Sequence, residues 1–172
     1  MAKLPQQRGG GRRRGDRGPR EPKEFEQKII DIRRVTRVVA GGKRMRFRAT
    51  VVIGDGKGRV GVGIGKGLDV TLAVSKGATE AKKQLFLVPM VNESIPHMVR
   101  IKYGAARLLL KPAPKGSGVI AGGPIRPVME LAGIKNVVAK MLGSSNKVNN
   151  VYAVMAALRS LRTRDSMKKK LT

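Results

Sequence analysis

Residues 41–67 read GGKRMRFRATVVIGDGKGRVGVGIGKG, and this run decides the fold. Phe47, Ala49, Val51 and Ile53 alternate with Arg46, Arg48, Thr50 and Val52, the period-two pattern of a half-buried strand. Asp55-Gly56-Lys57-Gly58 supplies the residues a tight turn needs. Val60, Val62 and Ile64 resume the alternation, with Gly61, Gly63 and Gly65 between them. The run is therefore a hairpin. Its apolar face is expected to be buried, and its other face offers basic groups and bare glycine backbone to a phosphate chain.

Working outward, Ile29, Ile30, Ile32, Val35, Val38 and Val39 form a β-rich stretch of imperfect alternation that ends at Gly41-Gly42. Downstream, Asp69 can cap a helix on which Val70, Ala73, Val74, Gly77, Ala78, Ala81 and Leu85 share one face, with Lys76, Lys82 and Lys83 elsewhere. Residues 25–88 thus read as a three-stranded antiparallel sheet backed by a helix. Residues 89–96, with Pro89, Asn92 and Pro96, read as a connection. Residues 97–163 read as a C-terminal α/β two-layer domain, which makes the chain α+β. Its strands are expected over His97–Tyr103, Arg107–Pro112 and Asn136–Leu142. One helix starts with Pro124 in its first turn and runs through Met129 and Leu131 to Gly133. A last helix is capped by Ser145 or Asn146 and buries Val151, Val154, Met155, Leu158 and Leu161.

The chain has 172 residues, with 37 Lys+Arg against 11 Asp+Glu and a formal net charge of +26. Such a balance calls for a polyanionic partner, and nucleic acid is the natural one. The absence of cysteine excludes disulfides and thiolate metal sites. Aromatic residues are sparse, which argues against stacking of single-stranded bases as the main binding mode. No basic amphipathic helix with a bulky apolar face and no long apolar stretch appears, so a membrane partner is not expected. His97 is the single histidine, and the carboxylates are scattered. No metal site, cofactor, small-molecule substrate or catalytic constellation is expected, and the chain does not read as an enzyme.

Residues 1–24 are dominated by Gly, Arg and Pro and should be disordered when free. They read as a basic arm that threads into RNA, with a solubilising tail as the alternative. They lack the serines and the apolar face of a transit peptide. Residues 164–172 form a second basic tail.

Two fragments of the opening run resemble nucleotide motifs. Gly56-Lys57-Gly58-Arg59-Val60-Gly61 matches G-x-G-x-x-G, but that fingerprint must open a helix and here it opens a strand. Gly65-Lys66-Gly67 resembles the end of a P-loop, but Gly67 stands where a hydroxyl must hold magnesium. The glycines are better explained by a turn and by close approach of another backbone, RNA being one candidate. The bases Arg33, Arg34 and Arg37, then Lys43, Arg44, Arg46 and Arg48, then Lys57, Arg59 and Lys66, recur across three adjacent strands with few acids among them. They read as phosphate contacts, which position a protein on RNA without reading its sequence. The loop Pro114–Pro124 has three readings: a connector, a helix N-terminus at Gly122-Gly123 that holds a phosphate, or a protein contact through Val119, Ile120 and Ile125.

Gly41-Gly42-Lys43-Arg44, Phe47-Arg48-Ala49, Val52-Ile53-Gly54-Asp55 and Gly58–Lys66 together resemble the signature of the ribosomal small-subunit protein five family. Lys115–Gly123, Arg126, Val128, Glu130, Ala132-Gly133 and Gly143–Asn146 agree in the second half, so the likeness covers roughly residues 24–163. The resemblance implies a domain like a double-stranded-RNA-binding domain that has lost its first helix, followed by an α/β domain. It implies a structural constituent of the small subunit that binds 16S-type ribosomal RNA and supports assembly, in a cytoplasmic ribosome. It implies contacts with small-subunit proteins four and eight and a place near the messenger entry channel. Val39, Ala40, Gly41, Gly42 and Lys43 match a loop tied to head movement and the spectinomycin site. Gly118 and Arg126 match positions near protein four, where changes affect decoding accuracy. A free double-stranded-RNA-binding or chaperone module is the alternative function, and a nucleotide enzyme the third class.

Overall fold

The computed structural model describes residues 24–163. The arm expected before residue 24 and the tail after residue 163 lie outside the described residues. The elements run β1 (Glu26–Val39), β2 (Gly42–Gly54), β3 (Arg59–Gly67), α1 (Val70–Lys83), β4 (Phe86–Leu87), β5 (Val99–Tyr103), β6 (Ala106–Pro112), β7 (Val119–Ile120), α2 (Arg126–Ala132), β8 (Val137–Gly143) and α3 (Lys147–Ser160). They build two four-stranded sheets, ordered β1-β2-β3-β4 and β5-β6-β8-β7. The first sheet is antiparallel. The short β4 adds a fourth strand to the three expected. In the second sheet β7 pairs parallel to β8 from within the Gly/Pro-rich loop.

The imperfect alternation of β1 has a local cause. Its register against β2 shifts between Ile29 and Asp31, so Ile30 is an extra residue and the side chains change face there. On one face of the sheet, Ala49, Val51 and Ile53 pack with Ala73 and Ala81 of α1. Gly61, Gly63 and Gly65 lie on that same face. A Cβ on any of them would overlap the backbone of α1, at Ala81, Gly77 and Ala73 respectively. Gly77 returns the fit: a Cβ there would meet Val51 Cγ2 at 3.0 Å. The backbone that approaches these glycines is therefore the protein's own helix. The expectation that they form a close-approach surface for RNA is corrected.

The other face of the first sheet divides along its length. Val52, Val60 and Val62 are buried in a second core with Val88, Ile95, Leu108, Leu110, Met129, Val137, Val154 and Leu158. Each valine removed from water contributes about 1.5–3 kcal/mol. The molecule is layered as α1, first sheet, α2 with α3, second sheet. An ion pair from Lys28 on β1 to Glu130 on α2, at 2.7 Å, ties the edge of this interface. The hydrogen bond that Lys28 donates to Glu130 holds its ammonium above its ordinary range.

Pro127, not Pro124, occupies the first turn of α2; Pro124 is buried in the turn that precedes it. Gly133 ends α2 in the left-handed conformation at φ 83°, donating to Glu130 and Met129 carbonyls. Asn146 caps α3, its Oδ1 accepting from the Val148 amide at 3.1 Å. Val151, Val154, Met155, Leu158 and Leu161 are all buried, as their spacing predicts.

Candidate nucleic-acid interface

Below its valine half, the uncovered face of the first sheet is basic. Residues directly opposite each other in a sheet share a face, so the register assigns the sides. Arg33 stands opposite Arg48, and Arg48 opposite Lys66. Arg37 stands opposite Arg44, and Val35 opposite Arg46. Six of the ten predicted bases therefore converge on one surface: Arg33, Arg37, Arg44, Arg46, Arg48 and Lys66. A shallow cleft of about 290 Å³ runs among Val35, Thr36, Arg37, Arg44, Arg46 and Lys66.

The other four predicted bases lie elsewhere. Arg34 pairs with Phe47 and Lys43 with Val38, which places both on the α1 side. Lys57 and Arg59 sit at the β2–β3 turn, where Asp55 Oδ1 accepts from both of their backbone amides at 2.7 and 3.0 Å. That turn docks on α2 through a hydrogen bond from the Gly56 amide to the Leu131 carbonyl. It lies at the opposite end of β2 from the β1–β2 connection, roughly 40 Å away for a strand of this length.

The carboxylate on the basic face is already engaged. Asp31 accepts from Arg33 Nε at 2.9 Å and from Lys147 Nζ at 3.2 Å, and its side chain is only 9% exposed. Lys147 is the first residue of α3, so the N-terminus of that helix borders the surface and adds its positive end. Among the described residues, Arg37, Arg44, Arg46, Arg48 and Lys66 take part in no ion pair. Like charges directly opposite in a sheet repel, and a phosphate chain laid over them relieves the repulsion.

The basic surface runs out along an arm. β3 ends at Gly67 opposite Phe47, while β1 and β2 continue as a two-stranded ribbon. Every residue from Thr36 to Arg46 is exposed, including Val38 at 75%. Val39, Ala40, Gly41, Gly42 and Lys43 form its tip, where Val39 pairs with Gly42 around the turn Ala40-Gly41.

Gly118 and Arg126 are brought together at one edge of the second sheet. Arg126 Nη2 donates to the Val119 carbonyl at 3.0 Å. The Gly118 amide donates to Asn136 Oδ1 at 3.2 Å, and its carbonyl accepts from Val137. Asn136 is the organising residue that the sequence did not reveal. It is 4% exposed, accepts from Gly116 and Gly118 on Oδ1, and its carbonyl accepts from Ser94 Oγ at 2.6 Å. Val119 packs on the core and Ile125 is fully buried, so the loop is no plain connector, and of the three apolar residues expected at a protein contact Ile120 is the exposed one. The phosphate reading expected Gly122-Gly123 at the helix N-terminus, but α2 starts at Arg126, and the turn before it is closed by the Ile125 and Arg126 amides donating to the Gly122 carbonyl. Gly65-Lys66-Gly67 lies in paired strand throughout, so it forms no phosphate-cradling loop. His97 is a structural clasp: Nδ1 lies 3.1 Å from the Met98 carbonyl, and Nε2 accepts from the Arg162 amide.

Comparison with known proteins gives two family matches. Residues 25–89 match the profile of the ribosomal protein S5 N-terminal domain, and residues 101–171 that of the ribosomal protein S5 C-terminal domain. The chain is 50% identical over 153 residues to the small ribosomal subunit protein uS5 of Acaryochloris marina, covering 88% of this chain and 86% of that one. It is 51% identical over 153 residues to uS5 of Prochlorococcus marinus, covering 88% and 73%. To uS5c of Guillardia theta it is 47% identical over 145 residues, covering 84% and 86%.

Proposed function

The chain belongs to the ribosomal protein S5 family, and from that premise we propose that the basic half of its first sheet, with the β1–β2 arm, holds the phosphate backbone of 16S-type ribosomal RNA. The protein is a non-enzymatic structural constituent of the small ribosomal subunit, with ribosomal RNA and ribosomal proteins as its partners. Its place is the ribosome, in a cytoplasm or a plastid.

The observation that carries the RNA reading is the row Arg33–Arg48–Lys66 with Arg37, Arg44 and Arg46 beside it, on a surface whose carboxylate is spent. Backbone contacts of this kind fix the register of a protein on folded RNA. Lys57 and Arg59 then belong to the turn that docks on α2, and Arg34 and Lys43 reach RNA from the arm's other side. The tip at Val39–Lys43 is the part we assign to head movement, because it projects beyond the third strand. Gly118 and Arg126, clamped at the β7 edge, form the contact with protein four, and protein eight is a second protein neighbour. A place near the messenger entry channel and a role in assembly and decoding accuracy complete the reading. We take 25–88 and 97–163 as its two units, joined by 89–96.

The test is a binding titration of the full chain on a small-subunit ribosomal RNA transcript, with salt varied. Replacing Arg44, Arg46 and Arg48 together by Ala should weaken binding and lower the salt slope by roughly one per lost contact. Replacing Lys57 and Arg59 should change the slope less. Equal slopes for wild type and the triple variant would reject the proposed face.

A further inference from the structure

α1 covers only part of the sheet face it packs on. It lies over β2 and β3 and barely reaches β1, the edge strand of the first sheet. The register sets Gln27, Ile29 and Ile32 of β1 opposite Ile53, Val51 and Ala49, hence on the α1 side. Ile29 and Ile32 are 46% and 42% exposed there. Across from them α1 turns the ridge Val70, Val74 and Ala78 toward the gap, each residue only half-buried. The hydroxyls of Ser75 and Thr79 bond back to the Leu72 and Ser75 carbonyls, so the neighbouring wall presents carbon as well. The result is a groove of about 700 Å³ between β1 and α1, with Phe25, Ile29 and Ile53 among its apolar lining.

Shape, charge and composition select the occupant. A helix laid beside α1 at the usual spacing of about 8–10 Å would sit over β1. The strand floor from Ile53 to Phe47 spans about 20 Å, the length of a helix of about 14 residues. Among the described residues that line the groove, Lys82 is the one base and Glu24 the one acid, too few cations for a phosphate chain. Leu4 is the one branched aliphatic residue in 1–23 and Leu171 the one in 164–172, so neither segment offers an apolar helix face. A second copy brings another net charge of +26 and is repelled. Lys82 on α1 and Arg34, opposite Phe47 on the same side of the sheet, stand at the rim. Among the described residues, neither takes part in an ion pair. Both favour carboxylates beside the apolar face of whatever fills the groove.

We propose that the groove between β1 and α1 is a docking site for an acidic amphipathic helix of a protein partner, with its apolar face on Ile29, Ile32 and Val74 and its carboxylates toward Arg34 and Lys82. The site lies on the side of the first sheet opposite the row Arg33–Arg48–Lys66, and on a different sheet from the β7 edge that carries Gly118 and Arg126.

The test titrates labelled synthetic peptides onto the full chain and reads fluorescence anisotropy. The probe peptide is about four helical turns long, with leucines at helical spacing on one face and glutamates flanking them. One control peptide scatters the same leucines around the helix, and a second replaces the glutamates by lysines. The probe should bind roughly tenfold or more tightly than either control. Ile29→Gln combined with Ile32→Gln, both at exposed positions, should erase that preference while Tm and affinity for small-subunit ribosomal RNA stay at the wild-type values. Equal binding of the scattered-leucine peptide would reduce the effect to general charge attraction and overturn the inference. Equal binding of the lysine-flanked peptide would overturn the acidic partner. A preference that persists in the folded double variant would place the peptide elsewhere, and a loss of RNA affinity in that variant would make the groove an RNA surface; either overturns the inference. The salt titration of the Arg44, Arg46 and Arg48 variant is independent of all these outcomes, so the proposed function stands or falls separately.

Discussion

Arg33 and Arg48 face each other directly across β1 and β2. Arg33 leans on Asp31, so Arg48, with Lys66 on its other flank, bears the unrelieved repulsion. Arg48→Ala should therefore raise the stability of the free protein by about 0.2–1 kcal/mol while weakening RNA binding. Urea unfolding and a salt titration on the same variant check both signs. A variant that loses stability as well as affinity would mean that the arginine is held by packing rather than poised for an anion.

Gly63→Ala or Gly65→Ala drives a methyl group into the α1 backbone. The expected cost is about 1–3 kcal/mol or more, since neither the strand nor the helix can yield cheaply. RNA affinity of the fraction that remains folded should stay close to wild type. Thermal unfolding and binding, measured together, separate this from a glycine that faces RNA, where affinity would fall and stability would hold.

Asn136→Ala leaves the Gly116 and Gly118 amides without their acceptor. The cost should be about 1–3 kcal/mol. Amide exchange at Gly116 and Gly118 should accelerate, and Asn136→Asp, which keeps an acceptor, should lose less. Unaltered exchange would show that the β7–β8 pairing and Arg126 hold the loop without Asn136.

Lys135 donates a hydrogen bond to Glu93 at 2.6 Å and holds its carboxyl below the ordinary 4.5. A depressed folded-state pKa contributes stability above the unfolded value and loses it as pH falls through the folded one. The difference in Tm between wild type and Glu93→Gln should be constant above about pH 6 and shrink through the acid carboxylate range. A difference independent of pH would assign the effect to the backbone instead, since Glu93 also adopts φ 62° in its turn.

The alternation of valines with glycines made β3 legible, and the spacing of Ala73, Gly77 and Ala81 made the buried stripe of α1 legible. Period two reveals that a strand has two faces; it does not say which neighbour covers each. That is why the glycines of β3 could be assigned to RNA before α1 was seen lying on them. The bulge at Ile30 and the flip of Arg34 and Lys43 depend on pairing partners, which a single strand does not display. β7 is two residues long, too short for any periodicity. Asn136 gave no signal because its role is to accept from a loop some twenty residues earlier.

β3 stops at Gly67, and among the described residues no third strand pairs with the ribbon beyond it. Mechanically the ribbon is a cantilever clamped at Phe47, and none of its load reaches the interior. Screens that rank variants by melting temperature will therefore be blind to damage between Thr36 and Arg46. Losses there will surface only in assays that read what the ribosome does.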